Sequence, residues 1–272
     1  MMMDRLDELQ AKSIYIVREA YAQCRKLALL WSIGKDSSTL LWLARKAFFG
    51  NLPFPVLHID TGRKFKEMIE FRDARAVEFG LKLIVARNEE ALAGAEPGKP
   101  LTGGGKLDCC TALKTQALQQ AIAKHGFKAL LLGIRRDEHG IRAKERYFSP
   151  RDENFQWNYK NQPAELWDQY RSRSEEGSHM RIHPLLHWSE LDIWCYVRRE
   201  AIPTVPLYFA RDGKRYRSIG CECCCAPIES KADTLDAIVH ELQTTTTSER
   251  AGRAQDKENA YTMQKLRALG YM

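Results

Sequence analysis

Short, largely apolar runs alternate along this chain with longer stretches in which apolar residues recur every three or four positions. The runs at 27–30, 53–60, 81–85, 127–133 and 180–186 predict strands. Between them, 39–46, 63–80 and 110–125 carry a helical period. The helix over 63–80 places Met68, Ile69, Phe71 and Val77 on its apolar side. Ser189 opens a further helix with Glu190 and Asp192 in its first turn, and 232–242 predicts another. An N-terminal helix over 1–24 draws apolar content from Leu6, Leu9, Ile14, Ile16 and Val17. Residues 88–107, rich in Gly, Ala and Pro, predict a loop that could act as a lid. The stretches 135–146, 151–177 and 205–219 have no clear period. Strands alternating with helices argue an α/β fold with a doubly wound parallel sheet. Residues 1–200 form its main domain, and 201–272 form a cysteine-bearing C-terminal extension with helices. In such sheets ligands sit outside the carboxyl ends of the strands, which puts the loops after Leu30, His58, Val85 and Gly133 on one rim.

The first of those loops carries the strongest chemical signal. Trp31 is followed by Ser32, Ile33, Gly34, Lys35, Asp36, Ser37 and Ser38, between the strand at 27–30 and the helix at 39–46. Strand, tight turn and helix start make a phosphate site, because N–H groups at a helix start face an anion and the dipole favours it. Gly34 lets the backbone bend sharply and come close. Lys35 adds a point charge, and Ser37 and Ser38 add hydroxyls. Asp36 would cap the helix or help to hold Mg²⁺.

Bulk properties narrow the class. The chain has 272 residues and a hydrophobic fraction of 44%, enough for one large domain with an appendage. A net charge of +7 suits a polyanionic ligand such as ATP or nucleic acid without requiring one. There is no apolar run of membrane-spanning length and no apolar leader region at the start, so no membrane association and a cytoplasmic location are expected. Six of the eight cysteines fall in two groups, Cys109–Cys110 and Cys221, Cys223, Cys224 and Cys225, while Cys24 and Cys195 stand apart as small apolar residues. In a reducing compartment such groups point to metal or sulfur chemistry before structural disulfides.

The loop at 32–38 is similar to the PP-loop of N-type ATP pyrophosphatases, with Ile33 where the first glycine usually stands. Most of the chain resembles the sulfate adenylyltransferase small subunit within this PAPS reductase superfamily. The resemblance rests on 32–38, 54–62, 65–68, 71–73, 135–138, 142–146 and 246–250. It implies the adenine nucleotide alpha hydrolase-like fold and cleavage of ATP to AMP and pyrophosphate. It places Asp60, Thr61, Gly62 and Gly133 at the nucleotide, and Arg135, Arg136 and Asp137 near the phosphates, with Lys35 and Asp36 catalytic beside them. Arg142, Lys144 and Arg146 are implied to bind an oxyanion, a role that guanidinium forks suit.

The cysteines depart from that small subunit. Cys109 and Cys110 with Cys221 and Cys224 look like the [4Fe–4S] ligands of the adenylyl sulfate reductases. Four thiolates also suit zinc, although adjacent cysteines at a helix start favour the cluster. Cys223 and Cys225 would be spare, and either one could carry a persulfide. No cysteine follows Cys225, which disfavours a reductase. The combination resembles sulfur-insertion enzymes, and the leading expectation is the ATP pyrophosphatase of a DNA phosphorothioation system. Its partners would be a cysteine desulfurase, other components of a sulfur-modification complex, and DNA met by Lys214, Arg215, Tyr216 and Arg217. The alternative is a sulfate adenylyltransferase small subunit with a GTPase large subunit. A third reading is a non-catalytic ATP-binding assembly subunit.

Overall fold

The computed structural model describes residues 3–24, 26–93, 106–160, 162, 164–172 and 177–250. Residues 94–105 of the expected lid loop and the C-terminal stretch 251–272 lie outside these. Six strands form one sheet in the order β3-β2-β1-β4-β6-β5. They are β1 (Leu27–Leu30), β2 (Val56–Ile59), β3 (Leu83–Ala86), β4 (Ala129–Leu132), β5 (Phe148–Arg151) and β6 (His179–Ile182). All neighbours run parallel except β5, which runs antiparallel to β6 at the edge. Every residue of β1, β2 and β4 is buried, as continuous apolar runs in a sheet covered on both faces should be.

The helices in the same part of the chain are α1 (Arg5–Gln23), α2 (Lys35–Ala47), α3 (Lys66–Glu78) and α4 (Glu89–Ala93). A longer helical run follows, made of α5 (Lys106–Cys110), a π-helical segment (Thr111–Gln116) and α6 (Ala117–His125). Right-handed crossovers put α2 and α3 on one face of the sheet and the α5–α6 run on the other. After β6 come α7 (Glu190–Arg199) and α8 (Leu235–Thr244), with a ribbon of β7 (Lys214–Arg215) and β8 (Ile228–Glu229) between them. Helix α1 lies against α2, α2 against α7, and α7 against α8. Ser189 caps α7 in a box with Asp192, the start that its sequence signals.

The doubly wound α/β reading therefore holds, with two additions. The stretch before 151 contains β5, whose residues Phe148 to Arg151 have no alternating pattern because three of the four are buried. The stretch 205–219 is also more than a loop, since it supplies β7. The chain leaves β1 towards β2 and returns past it to β4, so the crevice between β1 and β4 is the switch point of the sheet. Leu30 is in register with both Leu57 and Leu132, which brings the ends of β1, β2 and β4 level at that rim.

Candidate functional site

The loop after β1 turns at Ile33, whose φ is +70°, a conformation that a β-branched residue rarely adopts. Gly34 has φ −69° and ψ 162°, values open to any residue, so the sharp turn expected of the glycine falls on its neighbour. Gly34 is the N-cap of α2 and makes no side-chain cap. The first helical N–H, that of Lys35, donates instead to the hydroxyl of buried Tyr208, 2.8 Å away. Trp31 Nε1 donates to Ser38 Oγ at 3.0 Å, and the hydroxyls of Ser32 and Ser37 lie 3.0 Å apart.

The glycine that the site does require is Gly133, just after β4. A Cβ there would lie 2.9 Å from the carbonyl carbon and oxygen of Asp36 and from Cα of Ser37. Bare backbone at Gly133 thus lets the end of β4 rest directly on the first turn of α2. Arg135 follows, fully buried, and makes ion pairs with Asp36, Asp137 and Glu249. Lys35 is also buried and pairs with Asp36, at 3.1 Å, and with Glu249. Burial works against the Lys35 ammonium and the Arg135 guanidinium, but Asp36 and Glu249 outweigh it and hold both pKa values above their ordinary range. Burial likewise opposes the Glu249 carboxylate, but Arg135 and Lys35 keep it well below the usual carboxylate range. Asp36 is therefore a member of this ion cluster and not the cap of α2.

A cleft of about 130 Å³ opens over this arrangement, lined by Ser32, Gly34, Lys35, Asp36, Ser37, Gly133 and Arg142 among others. Thr61 and Tyr208 also line it. Asp60 is turned to other work: it accepts from Arg87 at 2.9 and 2.5 Å and from the Gly62 N–H at 2.8 Å. Asp137 links Arg135 to the first N–H of α7 (Glu190, 2.8 Å). Arg136 points away, over the ring of Tyr147 and onto the carbonyl of Glu145. Of the three expected oxyanion residues, Arg142 lines the cleft and pairs with Glu138. Lys144 is exposed over the ring of Tyr159, and Arg146 is half-buried beside His183, neither of them on the cleft wall.

Tyr208 and Lys114 were not legible as site residues. Tyr208 sits in a short 3₁₀ turn (Pro206–Tyr208) and gives no pattern in sequence. Lys114 is presented to the cleft by the π-helical segment, which also hands the Ala112 carbonyl to Asn88 Nδ2 at 3.0 Å. Glu249 lies in a matching stretch of sequence, but only folding shows that it reaches Lys35.

The second cysteine group does fold back to the rim. Cys221 Sγ lies 3.3 Å from Thr61 Oγ1, and the Glu222 N–H donates to the Arg63 carbonyl. Cys109, Cys110, Cys221 and Cys224 are buried thiols, and Cys223 is within electrostatic reach of Cys109 and Cys221. Among the described residues, however, no three Cys, His, Asp or Glu side chains are grouped so as to hold a metal ion. As placed, the four thiols do not fit a [4Fe–4S] cluster or a zinc ion, and no chemistry is routed through one. Burial raises the Cys223 thiol and pushes Cys224 up to about 12, the reverse of what a persulfide carrier needs. Cys225 Sγ accepts from the Gly220 N–H at 3.1 Å. The expected basic patch for DNA is not a surface. Arg215 is buried on Glu241, Arg217 is buried on Glu190, and Tyr216 packs on Phe65. No helix among the described residues is long and apolar enough to cross a membrane.

Known proteins share both sequence and fold with this chain. Sulfate adenylyltransferase subunit 2 of Saccharophagus degradans is 45% identical, over 98% of this chain and 97% of the relative. The FMN adenylyltransferase of Candida glabrata, solved with FAD and pyrophosphate, aligns with a TM-score of 0.58 at 18% identity, over 84% of this chain and 68% of that one. The PAPS reductase of Candida auris, a phosphate complex, aligns with a TM-score of 0.54 at 16% identity, over 84% and 99%. At such identities these two structures speak for the fold alone. The sequence profile of the phosphoadenosine phosphosulfate reductase domain matches residues 26–227, and with it the cleft between β1 and β4 takes its place in a known architecture: the chain belongs to the phosphoadenosine phosphosulfate reductase domain family.

Proposed function

We propose that this chain transfers the AMP of ATP to an oxyanion, releasing pyrophosphate, and that the oxyanion is sulfate, so that the product is adenylyl sulfate. The observation that carries the reading is the seating of Gly133 and Arg135 on the first turn of α2, which joins the anion-binding loop to a buried guanidinium at the switch point of the sheet. The near end-to-end likeness to the sulfate adenylyltransferase subunit supports the choice of sulfate.

In this reading the β- and γ-phosphates lie on residues 32–38, held by N–H groups at the start of α2 and by the hydroxyls of Ser32 and Ser37. Lys35 and Arg135 neutralise charge as the α–β bond lengthens. Asp36 would be the carboxylate to hold Mg²⁺, which would supply positive charge to offset the charge of the phosphates. Thr61 and Gly62 border the adenosine. Arg142, which also lines the cleft, holds the attacking oxyanion, and in-line attack at the α-phosphorus expels pyrophosphate. A large subunit would be the partner, a reading that the relatives' name, subunit 2, supports.

The sulfur-insertion reading has less support. It needs a surface for a nucleic-acid strand, and Arg215 and Arg217 are buried in ion pairs. Pyrophosphate release separates the two. Stimulation by sulfate in the presence of a partner subunit supports the proposal. Stimulation by DNA or a desulfurase, together with about four irons per chain after anaerobic purification that Cys109→Ser removes, overturns it. ATP binding without turnover under any of these conditions would mark a non-catalytic subunit.

A further inference from the structure

The chain already supplies an anion to its own phosphate loop. Residues 245–250 run from the end of α8 across the site as a strap. It is held by Arg217, whose Nη1 donates to the Thr247 carbonyl at 2.6 Å, by Arg250 on Glu138 at 2.9 Å, and by Glu249. The Glu249 side chain is 6% exposed and bridges Lys35 and Arg135, one carboxylate oxygen to each cation. Those two cations face three carboxylates, Asp36, Asp137 and Glu249. While the strap is seated, the charge of Lys35 and Arg135 is thus fully countered by carboxylates of the chain itself.

This carboxylate lines one cavity, and its partner Lys35 lines another. The latter is the cleft with Lys35 and Asp36. The former is a second cavity of about 310 Å³, lined by Asp137, Glu190, Thr247, Ser248 and Glu249. Glu249 thus has space to withdraw into beside the cations that hold it.

We infer that Glu249 is a displaceable stand-in for a nucleotide phosphate. The strap closes the site when it is empty, and the triphosphate takes over Lys35 and Arg135 as Glu249 swings into the second cavity. Glu249 acts through those two cations and is a positioning residue. The inference rests on the reading that residues 32–38 hold the triphosphate.

The test is calorimetric binding of α,β-methylene ATP with Mg²⁺ to wild type and to Glu249→Gln. A competing carboxylate lowers the apparent affinity by the fraction of time that it occupies the site, so the variant should bind about five- to tenfold tighter. Equal or weaker binding overturns the inference, since a residue that merely props the cations would lose affinity on removal. Should Glu249→Gln fail to fold, hydrogen exchange in the wild type decides. Adding the analogue should speed exchange of the amides at 246–250, and unchanged or slower exchange overturns the inference. No binding of the analogue by either protein removes the reading of the loop along with it.

Discussion

Arg135 donates to the carboxylate of Asp36 across the switch point of the sheet, tying the end of β4 to the first turn of α2. The two residues are ninety-nine positions apart in the chain and meet because β4 lies beside β1. Neither strand can shift without moving the loop at 32–38 against the guanidinium. The predictions follow from that coupling and from the groups buried around it.

Gly133→Ala should cost pyrophosphate release about a hundredfold or more, the scale of an ångström of misplacement at a reacting centre. The added methyl would meet Asp36 and Ser37 backbone at 2.9 Å, and backbone cannot swing aside as a side chain can. Circular dichroism should remain that of the wild type. Turnover within a factor of about three of wild type would show that the contact does not position the loop.

Arg135→Ala and Asp36→Ala should both abolish turnover yet differ in stability. Removing Arg135, which is fully buried, leaves Glu249 and Asp36 to share Lys35 and takes the guanidinium from Asp137. The loss should be about 3–5 kcal/mol in urea unfolding. Asp36 is 16% exposed, and its cations keep Glu249, so its loss should be about 1 kcal/mol. Equal losses, or normal turnover in Asp36→Ala, would remove the loop assignment.

Tyr208→Phe should lower stability by about 1–2 kcal/mol, the cost of leaving a buried donor unmet. The hydroxyl is the acceptor for the Lys35 N–H at 2.8 Å, and the ring is 1% exposed. A thermal midpoint equal to wild type would mean that water replaces the hydroxyl.

Stability should fall as pH drops below about 6.5, the ordinary histidine pKa. Burial pulls the pKa values of His58, His179 and His187 down to about 3, about 2 and about 4, and it depresses His183 as well. The unfolded chain takes up these protons near pH 6.5 and the folded chain does not. Stability is thus complete above that pH and is lost on the way down to about pH 4. Each histidine adds a slope of about 1.4 kcal/mol per pH unit. Urea midpoints measured between pH 7.5 and 5.5 should show the decline, and a flat profile would mean that the histidines charge without unfolding.

Much of the architecture is written in local pattern. The four central apolar runs become β1, β2, β4 and β6, and Ser189 begins α7 because capping and periodicity act over a few neighbouring residues. The same holds for the anion loop, since a strand followed by a short turn and a helix start is a local event, and for Gly133, Thr61 and Arg142, which the resemblance marks and which line the cleft. Sequence also marks the cysteine groups, and the second of them does reach Thr61.

Contacts between distant segments belong to the tertiary structure alone. Sequence names Lys35 as a phosphate ligand, but packing pairs it with Glu249, 214 positions away, and gives its first helical N–H to Tyr208. Lys214, Arg215, Tyr216 and Arg217 read as a basic surface, yet folding buries two of the three cations on Glu241 and Glu190. Four cysteines read as ligands, yet whether thiols can share an ion depends on ångström-scale convergence that spacing does not encode. Sequence by itself determined which residues are apolar, cationic or nucleophilic and in what local order. The fold decided which charges face one another, because a Coulomb pair depends on distance through space and not along the chain.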